Sequence, residues 1–146
     1  MNVKESNPKD MLGSVKAYTH LIPTAPLYEV GLAMFEGARK YGSHNYRAIG
    51  TRATVYYNAA RRHMDAWLEG EDIDPDSGIH HLMKAVACFM VLRDSMIMGN
   101  FEDDRPLRYA DGFSIEKFNK LTEDIINKYP ECVEPFTEVN SKKEQS

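Results

Sequence analysis

The densest group of ionisable side chains in the sequence lies between residues 63 and 81. Five carboxylates fall within eight residues of this segment: Glu69, Glu71, Asp72, Asp74 and Asp76. Like charges this close repel one another unless cations neutralise them. Mg²⁺ and Mn²⁺ prefer carboxylate oxygens and also bind phosphates, so the segment suits a metal-assisted phosphate site. The alternative is a solvated acidic loop, stabilised by the dipole of the helix that follows.

Histidines flank the acidic segment on both sides. His63 precedes it, and His80 and His81 follow it. A lone histidine on an apolar helix face is most often a hydrogen-bonded core residue. Next to carboxylates and a second histidine, however, an imidazole is suited to general-base catalysis or metal binding. Trp67 lies four residues after His63 and therefore shares its helix face.

A second polar segment, residues 40–47, has the sequence Lys-Tyr-Gly-Ser-His-Asn-Tyr-Arg. Lysine and arginine bind phosphates and aromatic side chains stack on nucleobases, so this mixture is typical of a nucleotide site. The nucleotide-binding candidates in the segment are Lys40, Tyr41, Asn45, Tyr46 and Arg47. The alternative is a helix that ends at Gly42 and is followed by a turn anchored by aromatic residues.

Apolar residues at helical spacing predict four helices, over residues 25–41, 52–69, 78–98 and 114–128. The third is apolar on almost every side between residues 85 and 92, which indicates a central helix. No alternating run of β-branched residues predicts a strand of ordinary length. We therefore predict an all-α fold, a compact four-helix bundle-like domain over residues 1–128. Residues 129–146 predict a partly ordered C-terminal arm, because they contain two prolines and a polar end.

The composition excludes several classes of protein. The chain has 146 residues, and its 18 basic and 22 acidic side chains give a net charge of −4, without the basic excess that binds nucleic acid. The longest unbroken apolar run has eight residues, too few to span a membrane. The polar first ten residues do not predict export, so we expect a cytoplasmic protein. Cys88 and Cys132 are expected to be reduced structural thiols.

An ordered series of short motifs resembles one protein family over about residues 6–107. It is the phage family named for the N-terminal region of dATP/dGTP diphosphohydrolases, which is related in concept to the all-α MazG-like pyrophosphohydrolases. The motifs are Asn-Pro-Lys-Asp at 7–10, Lys-Tyr-Gly at 40–42 with Asn-Tyr at 45–46, Arg-His at 62–63 with Ala-Trp at 66–67, Gly-Glu-Asp-Ile-Asp-Pro-Asp-Ser-Gly at 70–78, His-Leu at 81–82, Gly-Asn at 99–100 and Asp-Asp-Arg-Pro at 103–106.

The resemblance implies a helical nucleotide-binding protein of the host cytoplasm, if a phage encodes the chain. In MazG-like relatives, Mg²⁺ or Mn²⁺ is held by carboxylates, and a nucleoside triphosphate is hydrolysed to monophosphate and pyrophosphate. Carried over to this sequence, the expected metal ligands are Glu71, Asp72, Asp74 and Glu29. The expected catalytic residues are His63, His81 and Asp74. Lys40 and Asn45 are also carried over as nucleotide-binding residues. Together with candidates taken from the residues themselves, the expected nucleotide-binding set is Lys40, Tyr41, Asn45, Tyr46, Arg47, Trp67 and Lys84.

The sequence also departs from the MazG-like pattern. Glu-Glu-x-x-Glu on one helix and Glu-x-x-Asp on a later one are absent from the first three predicted helices. Where the second of these motifs would lie, the third helix has His81 and Lys84, and a lysine is a poor metal ligand but a good phosphate partner.

Three functions follow from these features. The first is a metal-dependent (deoxy)nucleoside triphosphate pyrophosphohydrolase that acts on the nucleotide pool. The second is a phage protein that binds a cyclic or ADP-ribose-type defence signal without hydrolysing it, which the missing carboxylates and Lys84 favour. The third is a helical adaptor without a small ligand. A homo-oligomer is expected under all three, because four helices leave apolar faces uncovered.

Overall fold

The structure is a computed structural model that describes residues 7–145, and it is mostly helical. The predicted all-α fold class is therefore confirmed. The described part of the chain forms two compact units, which divide between Arg105 and Pro106. The elements are α1 (Pro8–Gly13), α2 (Thr24–Tyr41), α3 (Asn45–Ile49), β1 (Thr51–Arg52), α4 (Ala53–Leu68), α5 (His81–Met98), β2 (Phe101–Glu102), α6 (Ile115–Lys128) and α7 (Glu138–Glu144).

The four long helices were predicted from the sequence within three residues at each end. The largest difference is at the start of α5, which begins at His81 instead of residue 78. Residues 78–80 pair with the acidic loop instead, since the Asp74 backbone N–H donates to the Ile79 carbonyl (2.9 Å) and the His81 N–H donates to the Asp72 carbonyl (2.9 Å). The bundle itself remains a prediction, because α2, α4 and α5 belong to the first unit and α6 to the second.

Small side chains form the contact between α4 and α5. Ala60 of α4 and Ala85 of α5 are buried, and both helices also carry other buried small residues, Ala53, Ala87 and Ser95. Since alanine and serine extend little beyond the backbone, the two helices can approach closely. Polar side chains farther along the two helices, such as His63 and His81, are thereby brought into contact.

Helix α2 packs on the other side of α5 through an apolar cluster. Val30 and Ala33 contact Ala87, and Met34, Ile79 and Met83 are partly buried against them. This cluster holds the middle of α2 against α5, so the polar residues in the last two turns of α2 extend beside the α4–α5 pair. The chain reverses after α2 at Gly42, whose φ of 93° favours glycine.

A parallel ladder of two residue pairs joins the segment before α4 to the segment after α5. β1 pairs with β2 in the register Thr51 to Phe101 and Arg52 to Glu102. Just beyond it, the Asp104 carboxylate accepts hydrogen bonds from the Thr54 hydroxyl and from the Thr54 N–H, the latter at 2.8 Å. These hydrogen bonds lower the pKa of Asp104. Asp104 therefore caps the N-terminus of α4 from a point 50 residues later in the chain.

The short helix α3 is fixed to the end of α5 by a buried polar network. The buried Ser95 hydroxyl donates to Asn100 Oδ1 (2.7 Å), and Asn100 Nδ2 donates to the Arg47 carbonyl (2.8 Å). The Arg47 guanidinium also forms a two-point ion pair with Asp94, with both N–O distances 3.1 Å. This network holds the segment that carries Asn45 and Tyr46.

The second unit, from Pro106 onward, contains α6 and α7. Helix α6 begins after Ser114, as predicted. Helix α7 was not predicted as a helix; it lies in the expected C-terminal arm, and the Thr137 hydroxyl caps it by accepting from the Asn140 N–H (3.2 Å). Among the helices of residues 7–145, none has both the length and the hydropathy needed to cross a membrane.

We expect the Gly50→Ala variant to be destabilised by about 3 kcal/mol, because two costs combine there. Gly50 has a φ of 85°, and an added Cβ would lie 2.1 Å from the Asn100 carbonyl oxygen. Gly99 is the matched control, with a φ of 80° and no atom within 4 Å of an added Cβ. Gly99→Ala should cost about 1 kcal/mol. Urea unfolding of both variants measures the difference, and equal losses would contradict the predicted close approach of Asn100.

Candidate functional site

A cavity of about 670 Å³ lies among α2, α3, α4 and α5. Its volume is in the range of pockets that hold small molecules of nucleotide size. One wall is apolar, with Met34, Ala59, Ala87, Cys88 and Val91. The polar side chains that line it are Glu36, Lys40, Tyr41, Ser43, His44, Asn45, Tyr46, Tyr56, His63 and Lys84. An apolar wall opposite a few converging polar groups is the usual form of a small-molecule site.

Two lysines and two carboxylates form a connected charge cluster at one end of the cavity. Lys84 Nζ on α5 lies 3.0 Å from Glu36 Oε2 and 3.4 Å from Asp74 Oδ2. Lys40, one turn after Glu36 on α2, donates to the other Glu36 oxygen. Lys84, Glu36 and Asp74 are largely buried, whereas Lys40 is about half exposed. Lys84 therefore joins α2 and the acidic loop to α5.

The charge cluster keeps both carboxylates ionised. The hydrogen bond from Lys40 lowers the pKa of Glu36; burial opposes this, and the hydrogen bond and charge of Lys84 lower it further. Burial raises the pKa of Asp74, but hydrogen bonds from Ser77, from the Asp76 N–H and from Lys84 outweigh it, so the net shift is downward. Folding therefore favours the charged form of both groups.

Hydrogen bonds within the acidic loop hold Asp74 in place, in addition to its ion pair with Lys84. Its carboxylate accepts from the Asp76 N–H (3.1 Å) and the Ser77 hydroxyl (2.8 Å), and its carbonyl accepts from the Gly78 N–H (2.7 Å). The residue is 8% exposed and does not line the cavity. Asp74 thus organises the turn of residues 74–78 and binds Lys84 from behind the cavity wall.

Two histidines and one glutamate form a second polar chain. His63 Nδ1 on α4 and His81 Nδ1 on α5 are 2.8 Å apart, and His81 Nε2 lies 2.7 Å from Glu71 Oε1. His81 is buried, whereas Glu71 is exposed and His63 lines the cavity. Burial lowers the pKa of His63, and the charge of Lys84 lowers it further. His63 is therefore suited to accept a proton near neutral pH.

Partial burial raises the pKa of two groups on the cavity wall. Burial raises the pKa of Tyr56, so its hydroxyl remains a hydrogen-bond donor and acceptor. Burial also raises the pKa of Cys88, so its thiol is a weak nucleophile. Both cysteines are free, as expected from the sequence.

The structure brings about half of the predicted site residues together. Six line the cavity: Lys40, Tyr41, Asn45, Tyr46, His63 and Lys84. His81, Glu71 and Asp74 lie directly behind it and contact His63 or Lys84. Four others are not among its lining residues: Glu29, Arg47, Trp67 and Asp72. Arg47 is instead paired with Asp94, and the Asp72 carbonyl accepts from the His81 N–H.

The predicted metal ligands do not form a group. Among residues 7–145, no three His, Cys, Asp or Glu side chains are placed so that they could hold a metal ion. The two carboxylates that do converge, Glu36 and Asp74, meet at the Lys84 ammonium, which has no lone pair to give a metal. Within residues 7–145, the side chains alone therefore form no preformed group of this kind.

Four polar residues of the cavity are not among the predicted site residues: Glu36, Ser43, His44 and Tyr56. Glu36 lies seven residues after Glu29, so both carboxylates share one face of α2, and the spacing alone does not show which one reaches Lys84. Tyr56 lies seven residues before His63 on α4, and this spacing is a signal that would have placed it beside the catalytic candidate.

The chain belongs to a nucleotide-hydrolase family. The family model described as "dATP/dGTP diphosphohydrolase, N-terminal" matches residues 6–105, which include every residue of the cavity. The suspected family is therefore confirmed. No curated protein and no solved structure matches the chain.

We expect the Lys84→Met variant to lose about 2 kcal/mol of stability at pH 7, because Glu36 and Asp74 lose a shared, largely buried partner. Folding lowers the pKa values of both carboxyls, so this contribution is complete above their ordinary values of 4.5 and 3.8. It disappears as the pH falls through the lowered values. Urea unfolding of the wild type and the variant at pH 7 and below pH 3 measures the loss of stability and its dependence on pH.

Lys40→Met is the matched control for Lys84→Met. Lys40 also binds Glu36 but is about half exposed, so its removal should cost much less stability than that of Lys84. If Lys40→Met lost as much stability at pH 7 as Lys84→Met, this would contradict the larger contribution expected of the more buried Lys84. So would a Lys84→Met loss that stays the same in acid.

Proposed function

We propose that the cavity binds a (deoxy)nucleoside triphosphate and hydrolyses it to monophosphate and pyrophosphate. The family description supports a nucleotide pyrophosphohydrolase in general terms. The observation that carries the proposal is that one cavity unites two lysines, two tyrosines of the 40–47 segment and a histidine suited to act as a base. A nucleotide presents the complementary groups: a charged phosphate chain, an aromatic base and a bond that water can break.

The lysines bind the phosphates in this proposal. Lys40 and Lys84 lie at the same end of the cavity and already share one anion, the Glu36 carboxylate. Phosphate oxygens are stronger competitors for ammonium groups, because a triphosphate carries several charges on adjacent groups. The nucleotide therefore takes over the contacts that Glu36 makes without a ligand.

The base lies against the aromatic side of the cavity in this proposal. Tyr41 and Tyr46 line it on either side of the turn at residues 42–45, and Tyr56 faces it from α4. Tyrosine rings stack on any nucleobase, and their hydroxyls add hydrogen bonds. Asn45 adds amide groups that can read the edge of a base.

Water is the nucleophile, and His63 is the general base. His63 takes a proton from water while the water oxygen forms a bond to the α-phosphorus. The bond from that phosphorus to the α,β-bridging oxygen breaks, and its electron pair leaves with pyrophosphate. Lys40 and Lys84 neutralise the charge that develops on the leaving group.

Divalent metal enters the proposal as part of the substrate. Mg²⁺ or Mn²⁺ in nucleotide enzymes is often held by substrate phosphates with only one or two carboxylates. Glu36 is the carboxylate in the cavity that such a complex would meet. The metal would add charge neutralisation at the phosphates.

Sequestration without hydrolysis is the second candidate function. It is favoured by the lysine between Glu36 and Asp74, since a cation supplied by the protein can hold phosphates without metal. A cyclic or ADP-ribose-type nucleotide would use the same lysines and tyrosines. The two functions differ in what happens to the ligand.

The first test is to incubate the purified chain with nucleoside triphosphates, deoxynucleoside triphosphates and cyclic or ADP-ribose-type nucleotides, with and without Mn²⁺. Ultrafiltration and chromatography then compare the filtrate with the fraction released by heat. We expect monophosphate and pyrophosphate in equal amounts in the filtrate when Mn²⁺ is present. Intact nucleotide recovered only after heating would replace the hydrolase by the sequestering protein.

We expect His63→Gln to lower kcat by at least about 100-fold with little change in KM, because the base acts on water and not on substrate binding. His20→Gln is the matched control, since His20 is exposed and does not line the cavity. Steady-state release of pyrophosphate measures both variants. A wild-type kcat in His63→Gln would remove His63 from the mechanism.

We expect a sedimentation-equilibrium mass well above the 16.7 kDa of one chain. Three apolar side chains spaced along one face of α2 are exposed, Tyr28 by 72%, Leu32 by 57% and Phe35 by 63%. Leu32→Glu, on this face of α2, should weaken self-association. Ile97→Glu places the same charge at an exposed apolar position of a different helix, α5, and should not weaken it. A mass of one chain for the wild type would contradict the proposed homo-oligomer.

A further inference from the structure

We infer that Glu71 and His81 are positioning residues that hold His63 in the tautomer with a proton on Nδ1, so that Nε2 is its basic nitrogen. The inference deepens the proposed function and rests on it for its catalytic meaning. It assigns a role to a buried histidine that no ligand can reach directly, and to a carboxylate outside the cavity.

The chain of hydrogen bonds runs in one direction from an exposed acid to the cavity wall. Glu71 Oε1 and His81 Nε2 are 2.7 Å apart, and the two Nδ1 atoms of His81 and His63 are 2.8 Å apart. The His81 side chain is 6% exposed, and that of Glu71 is 53% exposed. Both distances are those of strong hydrogen bonds.

With both imidazole rings neutral, the tautomers follow from this geometry. An ionised carboxylate only accepts hydrogen bonds, so the proton between Glu71 and His81 belongs to His81 Nε2. A neutral His81 then has a lone pair on Nδ1, which must accept from a donor at 2.8 Å. That donor is His63 Nδ1–H. In a neutral His63 the remaining nitrogen, Nε2, is therefore the unprotonated one.

Backbone contacts hold the chain of side chains in place. The Glu71 N–H donates to the carbonyl of Ala66 in the last turn of α4 (3.0 Å). The His81 N–H donates to the Asp72 carbonyl (2.9 Å). The first bond ties Glu71 to α4, and the second ties His81 to the segment that carries Glu71. The arrangement fixes the orientation of the His81 ring and, through it, that of His63.

The surrounding charges keep His63 neutral before reaction. Burial lowers its pKa, as do the charges of Lys84 on α5 and Arg62 on its own helix, while Asp74 of the acidic loop opposes them. When His63 accepts a proton from water at Nε2, its ring becomes positive. The Nδ1–H bond to His81 then strengthens, and His81 in turn is polarised by the negative Glu71. The relay stabilises the imidazolium without moving a second proton.

Long-range ¹H–¹⁵N NMR of the full chain, labelled at its five histidines, tests the tautomers directly. Free histidine favours the Nε2–H tautomer, so the expected Nδ1–H pattern at His63 beside an Nε2–H pattern at His81 is diagnostic. The variants His63→Gln and His81→Gln assign the signals. An Nε2–H pattern at His63, or a doubly protonated His81 at neutral pH, would overturn the inference.

Kinetics tests the catalytic role of the same residues. Glu71→Ala should lower kcat by about 10- to 100-fold with KM nearly unchanged, the range seen when the partner that orients a histidine is removed. Glu71→Gln keeps an acceptor oxygen without the charge, so it should recover part of kcat. Glu69→Ala removes a neighbouring exposed carboxylate that has no contact with His81 in this chain of hydrogen bonds, and it should leave kcat unchanged.

The two readouts separate this inference from the proposed function. If no nucleotide is hydrolysed by the wild type, the proposed function fails, and the NMR experiment still decides the tautomers. If hydrolysis occurs and Glu71→Ala keeps the wild-type kcat, the positioning role is wrong while the function stands. A loss in Glu71→Ala that appears only in KM would likewise overturn the positioning role.

Discussion

The Lys84 ammonium is the point at which the parts of the site meet. It binds Glu36 of α2 and Asp74 of the acidic loop from its own place on α5, and all three side chains are largely buried. A buried charge without a partner is costly, so α2, the loop and α5 are stabilised in one arrangement. The apolar cluster of Val30, Ala33 and Ala87 supports the same arrangement without determining its polar contacts.

The charge cluster and the histidine pair depend on different parts of this arrangement. The lysine and carboxylate cluster requires α2 to be in register with α5, whereas the histidine pair requires the close approach of α4 and α5 that buried alanines allow. The acidic loop serves both, since Asp74 binds Lys84 and Glu71 binds His81. Two of the five closely spaced carboxylates, Glu71 and Asp74, thus have separate structural partners. The five form no metal-binding group among the described residues.

Sequence periodicity predicted the helices that carry the site because their apolar positions repeat over several turns. Contacts between distant residues were not predictable in the same way. Helix α3 depends on Asn100, and the start of α5 depends on pairing of residues 78–80 with the acidic loop. The spacing of Glu29 and Glu36 shows that they share one face of α2. Which of the two lies beside Lys84 is determined by how α2 packs against α5. The sequence predicted six of the cavity residues, and the geometry added others, among them Glu36 and Tyr56.

Glu36 is a carboxylate that occupies both lysines before any ligand arrives. As a competitor it is tethered, so its effective concentration at the lysines is set by the fold and does not change with the salt of the solution. An anion with a single phosphate gains little by displacing it, whereas a triphosphate gains several contacts at once. Under the proposed function, this tethered carboxylate imposes a threshold on ligand charge, which disfavours inorganic phosphate and favours release of the monophosphate product.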